Sequence, residues 1–203
     1  MALNTNKNVA ANGIVNLDEA KSFLKETGTD NDAEIVRMVN GLSAAFEQEV
    51  GRKIRTQTLT DFRVDGTGKS SLLFPYAPVQ SIAEIELRNS DESVYRTITL
   101  AADFVIKDKG LGLIMLINDS FIKGQRNILF TTDVGFAMTD PEFARAQELL
   151  LTQLAFDYRA WQNNEIGLTS RTLPDGSVTF NSPHRFLQQV YEGLEDLRDR
   201  RFI

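Results

Sequence analysis

The sequence predicts an α+β protein in which a four-helix body, with two N-terminal and two C-terminal helices, carries a mainly antiparallel β-rich insertion. Two changes of pattern predict this class. Apolar residues recur at helical spacing in 16–52 and again in 137–203, whereas 53–136 alternates β-branched and polar residues. We therefore divide the chain into a flexible, polar N-terminal arm (1–15), an N-terminal helical pair, the insertion and a C-terminal helical pair.

The first two helices are predicted from residues suited to cap their starts. Asn16 followed by Glu19 has the form of a capping box, and Gly28 is suited to end the first helix in a left-handed cap. Asn31 and Glu34 repeat the pattern before a longer second helix. The apolar stripe of that helix is predicted to be Ile35, Val39, Leu42, Phe46 and Val50.

The insertion is predicted to form one mainly antiparallel sheet. Thr56, Thr58 and Thr60 begin the period-two pattern, and a polar turn at 89–93 is expected to fold 94–100 back as a hairpin partner. Further strands are predicted at 71–74, 79–88, 104–107, 113–117 and 127–132. The sequence leaves the order of these strands open.

Asp140 and Pro141 predict the start of a long third helix, since Asp suits the N-cap and Pro the first helical position. Its buried face is predicted to hold Phe143, Ala146, Leu150, Leu154, Tyr158 and Trp161. An extended polar loop, 163–181, follows, in which Asp175-Gly176 is suited to turn a short hairpin. Ser182-Pro183 is predicted to begin the last helix, before a C-terminal tail.

Composition excludes several classes of protein. The 203 residues include no cysteine, so disulfides and thiolate metal sites are impossible. No apolar run approaches the roughly 20 residues that span a bilayer, and the first residues lack the apolar core of a signal peptide, so we expect no membrane partner. The net charge of −6 argues against generic duplex-DNA binding and suits an acidic surface past which DNA slides.

One segment, Gly66-Thr67-Gly68-Lys69-Ser70-Ser71, is similar to a phosphate-binding loop. Arg63 stands where that motif requires its first glycine, and the residues that follow are typical of a strand rather than a helix. A hairpin loop is therefore the better interpretation.

The acidic residues and the single histidine, His184, predict no better site. Ile35 and Gly41 stand where a calcium loop requires glycine and glutamate, so helix capping explains the acids that precede the second helix. The other acidic groups are interpreted as solvated faces: Glu84 with Glu86, and Glu192 with Glu195 and Asp196. We predict no catalytic residue, no metal and no cofactor.

Two segments are predicted to bind partners instead. The candidate interface loop combines aromatic, apolar and basic residues, which concentrate at interface centres: Trp161, Leu168, Arg171, Leu173 and Phe180. The candidate tail combines charge with apolar anchors: Arg198, Arg200, Arg201, Phe202 and Ile203.

Several motifs together resemble the head–tail connector proteins of tailed bacteriophages, in their longer form with a β-rich insertion. They are Leu17-Asp18-Glu19-Ala20-Lys21, the end of the second helix at Glu49-Val50-Gly51-Arg52, the strand start Pro78-Val79-Gln80-Ser81-Ile82, Asp140-Pro141, and Tyr158-Arg159 at the end of the third helix. The resemblance extends from about residue 14 over almost the whole chain.

This resemblance implies a structural adaptor of the virion neck, made in the host cytoplasm, and not an enzyme. Similar proteins form a twelve-subunit ring beneath the portal protein, continue the DNA channel without sequence-specific binding, and dock the next neck or tail protein. By analogy the C-terminal tail would bind the portal and the extended loops the next neck component. The alternatives are a tail-completion or baseplate protein, or a nucleotide-binding packaging enzyme that uses Lys69.

Overall fold

The computed structural model describes residues 9, 13–89, 93–99, 102–163, 170–173, 176–179 and 186–198, with 170–173 and 176–179 described by their backbone alone. In chain order the elements are α1 (Leu17–Leu24), α2 (Asp32–Val50), β1 (Gln57–Gly66), β2 (Ser71–Leu73), β3 (Val79–Arg88), β4 (Val94–Ile98), β5 (Phe104–Asp108), β6 (Leu113–Leu116), β7 (Gly124–Val134), α3 (Pro141–Gln162), β8 (Ser170–Leu173), β9 (Gly176–Thr179) and α4 (Gln188–Glu195). No helix among these residues combines the length and hydropathy that a bilayer span requires.

The described chain divides into two compact units. The helical unit contains the residues up to Gly51 together with Pro141–Arg198, and the β unit contains Arg52–Asp140. Of the predicted N-terminal arm, residues 1–8 and 10–12 lie outside the described residues.

The helical unit begins with the predicted capping box. The Glu19 amide donates to Asn16 Oδ1 at 2.9 Å, and the Asn16 amide donates to Glu19 Oε2 at 3.1 Å. The helix α1 nevertheless ends before Gly28, because Lys25 takes the left-handed cap conformation at φ 60°. The Lys21 ammonium then donates to the Gly28 carbonyl at 2.6 Å, which folds the chain back toward α2.

The last helix starts later than predicted. Ser182-Pro183 lies outside the described residues, and α4 begins at Gln188. Its start is fixed by the buried side chain of Gln153 on α3, whose Oε1 accepts the Leu187 amide at 2.9 Å. A residue 34 positions earlier in the sequence thus determines where α4 begins.

The seven strands of the β unit form two antiparallel sheets. One has the order β1-β7-β3-β4 and the other the order β2-β6-β5. Their shared core is almost entirely apolar, and its phenylalanines meet edge to face: the rings of Phe74 and Phe130 are 5.1 Å apart. On the outward side of β7, Asp133 accepts hydroxyl hydrogen bonds from Thr58 and Ser81, both at 2.7 Å, which lower the pKa of its carboxyl group.

The predicted fold class is wrong in its architecture. The protein is β-rich, and the strands between α2 and α3 form two sheets rather than one. The described helices are unequal, because α2 and α3 have 19 and 22 residues whereas α1 and α4 have eight each. The physical reason is that local periodicity identifies strands but not their partners, so the insertion of β7 between β1 and β3 leaves no local signal.

Candidate functional site

The helical unit has two distinct ends because its long helices run antiparallel. The residue before α2, Asn31, contacts Tyr158 near the end of α3. Along 22 residues, α3 extends about 33 Å. We call the end that contains Asn31 and Tyr158 the loop end, because the chain leaves it toward residues 163–181, and the opposite end the tail end, because α4 finishes there.

A hydrogen-bond network around Tyr158 organises the loop end. The hydroxyl of Tyr158 donates to Glu26 Oε1 at 2.8 Å and accepts from Asn31 Nδ2 at 2.8 Å, while Gln162 Nε2 donates to the same Glu26 oxygen at 3.2 Å. Burial first, and then the hydrogen bond to the Glu26 carboxylate, raises the pKa of the Tyr158 hydroxyl. The half-buried Trp161 ring stacks on Tyr158, with centroids 5.6 Å apart. The last turn of α3 is therefore fixed against the α1–α2 connection.

The predicted capping of α2 by the side chain of Asn31 is wrong, although Asn31 does occupy the N-cap position. Its side chain makes no cap hydrogen bond, and its amide is used in the contact with Tyr158. Glu34, the expected second member of that cap, instead forms an ion pair with Arg37. The competing partner lies 127 residues away, so the local spacing could not reveal it.

The tail end is organised by Arg198, the last described residue. Its guanidinium donates to Glu49 at the end of α2 and to the Tyr191 hydroxyl at 3.3 Å, and it lies 5.6 Å from the centre of the Tyr191 ring. A longer ion pair joins it to Glu195 at 3.7 Å. The hydrogen bond to Glu49 is the main cause that raises the pKa of Arg198.

A second ion pair reinforces the tail end from the start of α3. Arg145 Nη2 lies 2.6 Å from Asp196 Oδ2, and the two side chains are 48% and 58% exposed. The point from which the C-terminal tail departs is therefore held by solvent-exposed ion pairs to two long helices.

Ile14 and Val15 are part of the packed helical unit, although the sequence predicted them to lie in the flexible N-terminal arm. Both are buried, and the backbone of Ile14 donates to Ser43 Oγ and accepts from Gln147 Nε2, each at 3.2 Å. Ile14 is therefore fixed between α2 and α3. The signal that could have found them is the apolar pair directly before the N-cap Asn16, which is typical of a hydrophobic staple.

The predicted partner-binding residues are only partly described. Trp161 lies at the loop end and Arg198 at the tail end, so the structure does not bring them together. The backbone of Arg171 and Leu173 forms β8, which pairs with β9 as a hairpin. The other predicted residues lie outside the described part of the chain: Leu168, Phe180, Arg200, Arg201, Phe202 and Ile203.

Several of the acidic residues considered for catalysis have structural partners. The phosphate-loop lookalike joins β1 to the strand β2 rather than to a helix. Of the acidic groups, Glu86 forms an ion pair with Arg88. Within the described residues, no group of three or more histidine, aspartate or glutamate side chains is arranged to hold a metal ion. His184 lies outside that part of the chain.

Known structures share this fold. The protein superposes on the structure titled "Neck of empty GTA particle computed with C6 symmetry" with a TM-score of 0.55, 16% identity and coverage of 93% of this chain and 91% of that one. "Virion of native gene transfer agent (GTA) particle" gives 0.54, 14% identity, and 94% and 92% coverage. "Neck of native GTA particle computed with C12 symmetry" gives 0.54, 16% identity, and 98% and 95% coverage. No curated protein matches the sequence.

The fold is that of the GTA structures named above, and a family model identifies the family. The model described as Head completion protein matches residues 13–195. The chain therefore belongs to the Head completion protein family, and its role is that of a structural head–tail adaptor. The resemblance to head–tail connector proteins predicted from the sequence is confirmed.

Proposed function

We propose that this protein forms a ring in the neck of the particle, binds the portal protein through its C-terminal tail, and binds the next neck or tail protein through its extended loop. The observation that carries this proposal is the separation of the two segments. The tail departs beside Arg198 at one end of α3, and residues 163–181 begin after Gln162 at the other, about 33 Å away. One subunit can therefore contact two partners on opposite sides.

A ring of subunits is compatible with one partner bound at each end of the helical unit. Neck structures of GTA particles, which share the fold, are computed with C6 or C12 symmetry. In such a ring each subunit repeats the same weak contact with the portal, so modest affinities combine into stable attachment. We propose twelve subunits, with phage DNA passing through the centre.

We also propose that the protein is not an enzyme. An adaptor must hold two partners and leave DNA unaltered, and the polar groups of its two ends are engaged in hydrogen bonds and ion pairs within the helical unit. The phosphate-loop lookalike, on which a packaging enzyme would depend, has its Gly68 amide bonded to the Phe121 carbonyl at 2.7 Å.

Removal of Arg200–Ile203 tests the portal contact. We expect the shortened protein to keep its melting temperature, because the described helical unit ends at Arg198, and to lose most of its co-sedimentation with purified portal rings. The matched control is Arg37→Gln, which changes an exposed charge on α2 and should leave co-sedimentation unchanged. Full attachment of the shortened protein would contradict a role for the tail.

A further inference from the structure

We propose that two loops at one end of the β unit form a contact for the phosphate groups of duplex DNA. The first, 67–70, joins β1 to β2, and the second, 123–126, consists of Lys123 and the first three residues of β7. We call them the cationic loops because they carry Lys69, Lys123 and Arg126, all three exposed. The proposal rests on the proposed function only for the source of the phosphates, which is the DNA that passes through the ring.

Backbone hydrogen bonds hold the first loop against Phe121, two residues before the second loop begins. The Gly68 amide donates to the Phe121 carbonyl at 2.7 Å, and the Phe121 amide donates to the Lys69 carbonyl at 2.9 Å. Gly68 also approaches the Lys123 side chain, since a Cβ built on it would lie 3.4 Å from Lys123 Cβ. The positive charges on the two loops therefore lie on one fixed surface.

A buried side chain fixes the base of this surface. Asn127 Oδ1 accepts the Gly66 amide at 2.9 Å, and its Nδ2 donates to the Ile122 carbonyl at 2.8 Å and to the Arg88 carbonyl at 3.3 Å. These bonds join the end of β1, the end of β3 and the start of β7. The loops thus extend from a rigid base, so a bound phosphate would cost little loop ordering.

The three cations of this surface are only partly offset by nearby acids. Within the described part of the chain, none of Lys69, Lys123 and Arg126 forms an ion pair with a carboxylate. Two aspartates lie close by. Asp65 accepts the backbone amide of Arg126 at 2.7 Å and keeps its negative charge, whereas Asp119 forms an ion pair with Arg96 at 2.7 Å. A cationic surface thus stands out in a protein with a net charge of −6.

The contact must be made by side chains rather than by a backbone cradle. The Gly68 amide is bonded to Phe121, and the Lys69 amide donates to Thr67 Oγ1 at 3.2 Å. Lysine ammonium groups act as compact point charges toward phosphate and need no particular orientation. Such contacts to phosphate suit DNA that moves past the protein without recognition of its base sequence.

The surface fits DNA better than it fits a protein. Large exposed apolar side chains occur elsewhere in the described residues but not in either loop. The centre of a protein interface depends on such anchors, whereas DNA interfaces are polar and strongly cationic. Thr67, Gly68 and Gly124 are small enough to let a phosphate backbone come close.

Salt-dependent binding of a fluorescent duplex tests the proposal. The variant K69E/K123E is compared with K107E/K109E, which makes the same change in charge at exposed lysines. Lys109 lies at the opposite end of the β unit, because its carbonyl accepts the Val79 amide at 2.9 Å and Val79 pairs with Val134 at the far end of β7. Thermal melting verifies that both variants are folded.

We expect K69E/K123E to reduce the slope of log affinity against log salt concentration by about 1.8, two phosphate contacts at roughly 0.9 each, and K107E/K109E to leave it almost unchanged. Equal losses in both variants would show a net-charge effect and overturn the proposal, as would a wild-type protein that does not bind the duplex at low salt. Normal DNA binding with lost portal attachment in K69E/K123E would assign the loops to an acidic protein partner and also overturn it. Because the portal assay uses no DNA, failure of this proposal is distinguishable from failure of the adaptor function.

Discussion

The two ends of the helical unit are held by different kinds of interaction. At the loop end a buried tyrosine, Tyr158, shares short hydrogen bonds with Glu26 and Asn31. At the tail end Arg198 and Arg145 form ion pairs whose side chains are about one-third to one-half exposed. Buried hydrogen bonds keep their strength in salt, whereas exposed ion pairs contribute little and are screened.

This difference indicates how an adaptor can keep one end rigid while the ion pairs of its other end are exchanged for contacts with a partner. The loop end should keep its geometry whether or not a partner is bound. The tail end can exchange its internal ion pairs for those of a partner at small cost in free energy. Three substitutions and a change of pH test this contrast, beginning with the packing between the two ends.

Leu154→Ala should cause the largest loss of stability. Leu154 is fully buried between the two ends of α3, so the substitution removes apolar contacts and leaves a cavity. We expect the free energy of unfolding, measured by denaturant titration, to fall by about 2–5 kcal/mol. Phe156→Ala on the same helix is the control, because Phe156 is 42% exposed and should change stability much less. Similar losses in both variants would contradict the assigned buried face.

Tyr158→Phe should lower the free energy of unfolding by about 1–2 kcal/mol, because it removes the hydroxyl through which the buried Tyr158 bonds to Glu26 and Asn31. The matched control is Tyr95→Phe, which removes the hydroxyl of a tyrosine that is 59% exposed and should have almost no effect. Equal effects in denaturant titration would show that the network does not hold the loop end.

The same network predicts a loss of stability at alkaline pH. Because the folded protein raises the pKa of Tyr158 above its usual value of about 10, the stabilisation is complete below that value and is lost as the pH rises through the folded pKa. The free energy of unfolding of the wild type should therefore decrease more steeply at high pH than that of Tyr158→Phe. Parallel curves for the two proteins would contradict the assignment.

Arg198→Gln should have the smallest effect, below about 1 kcal/mol, because its ion pairs are partly exposed. The loss should shrink further as salt is added, whereas the loss in Tyr158→Phe should not change. A loss in Arg198→Gln that is large and independent of salt would remove the contrast between the two ends.

Much of the local structure could be predicted from the sequence. Three features depend on residues close together in the chain: the capping box of Asn16 and Glu19, the strand β3 over Val79–Arg88, and the hairpin of β8 and β9. The family could be predicted as well, and the family model that matches residues 13–195 confirms it.

The errors occur where distant residues decide the structure. Asn31 binds Tyr158 instead of capping α2, and Gln153 sets the start of α4. The sheet order depends on the pairing of β7 with both β1 and β3. No local pattern records these partners, and the same limit applies to the binding surfaces, which depend on partner proteins.

Electron cryomicroscopy of purified particles tests the central claim most directly. The account predicts a ring of this protein directly beneath the portal, with the tail end of the helical unit facing the portal and the loop end facing the next neck protein. A ring in which the tail end faces away from the portal would contradict the proposed contacts. Density for this chain elsewhere in the tail or baseplate would contradict the proposed position in the neck.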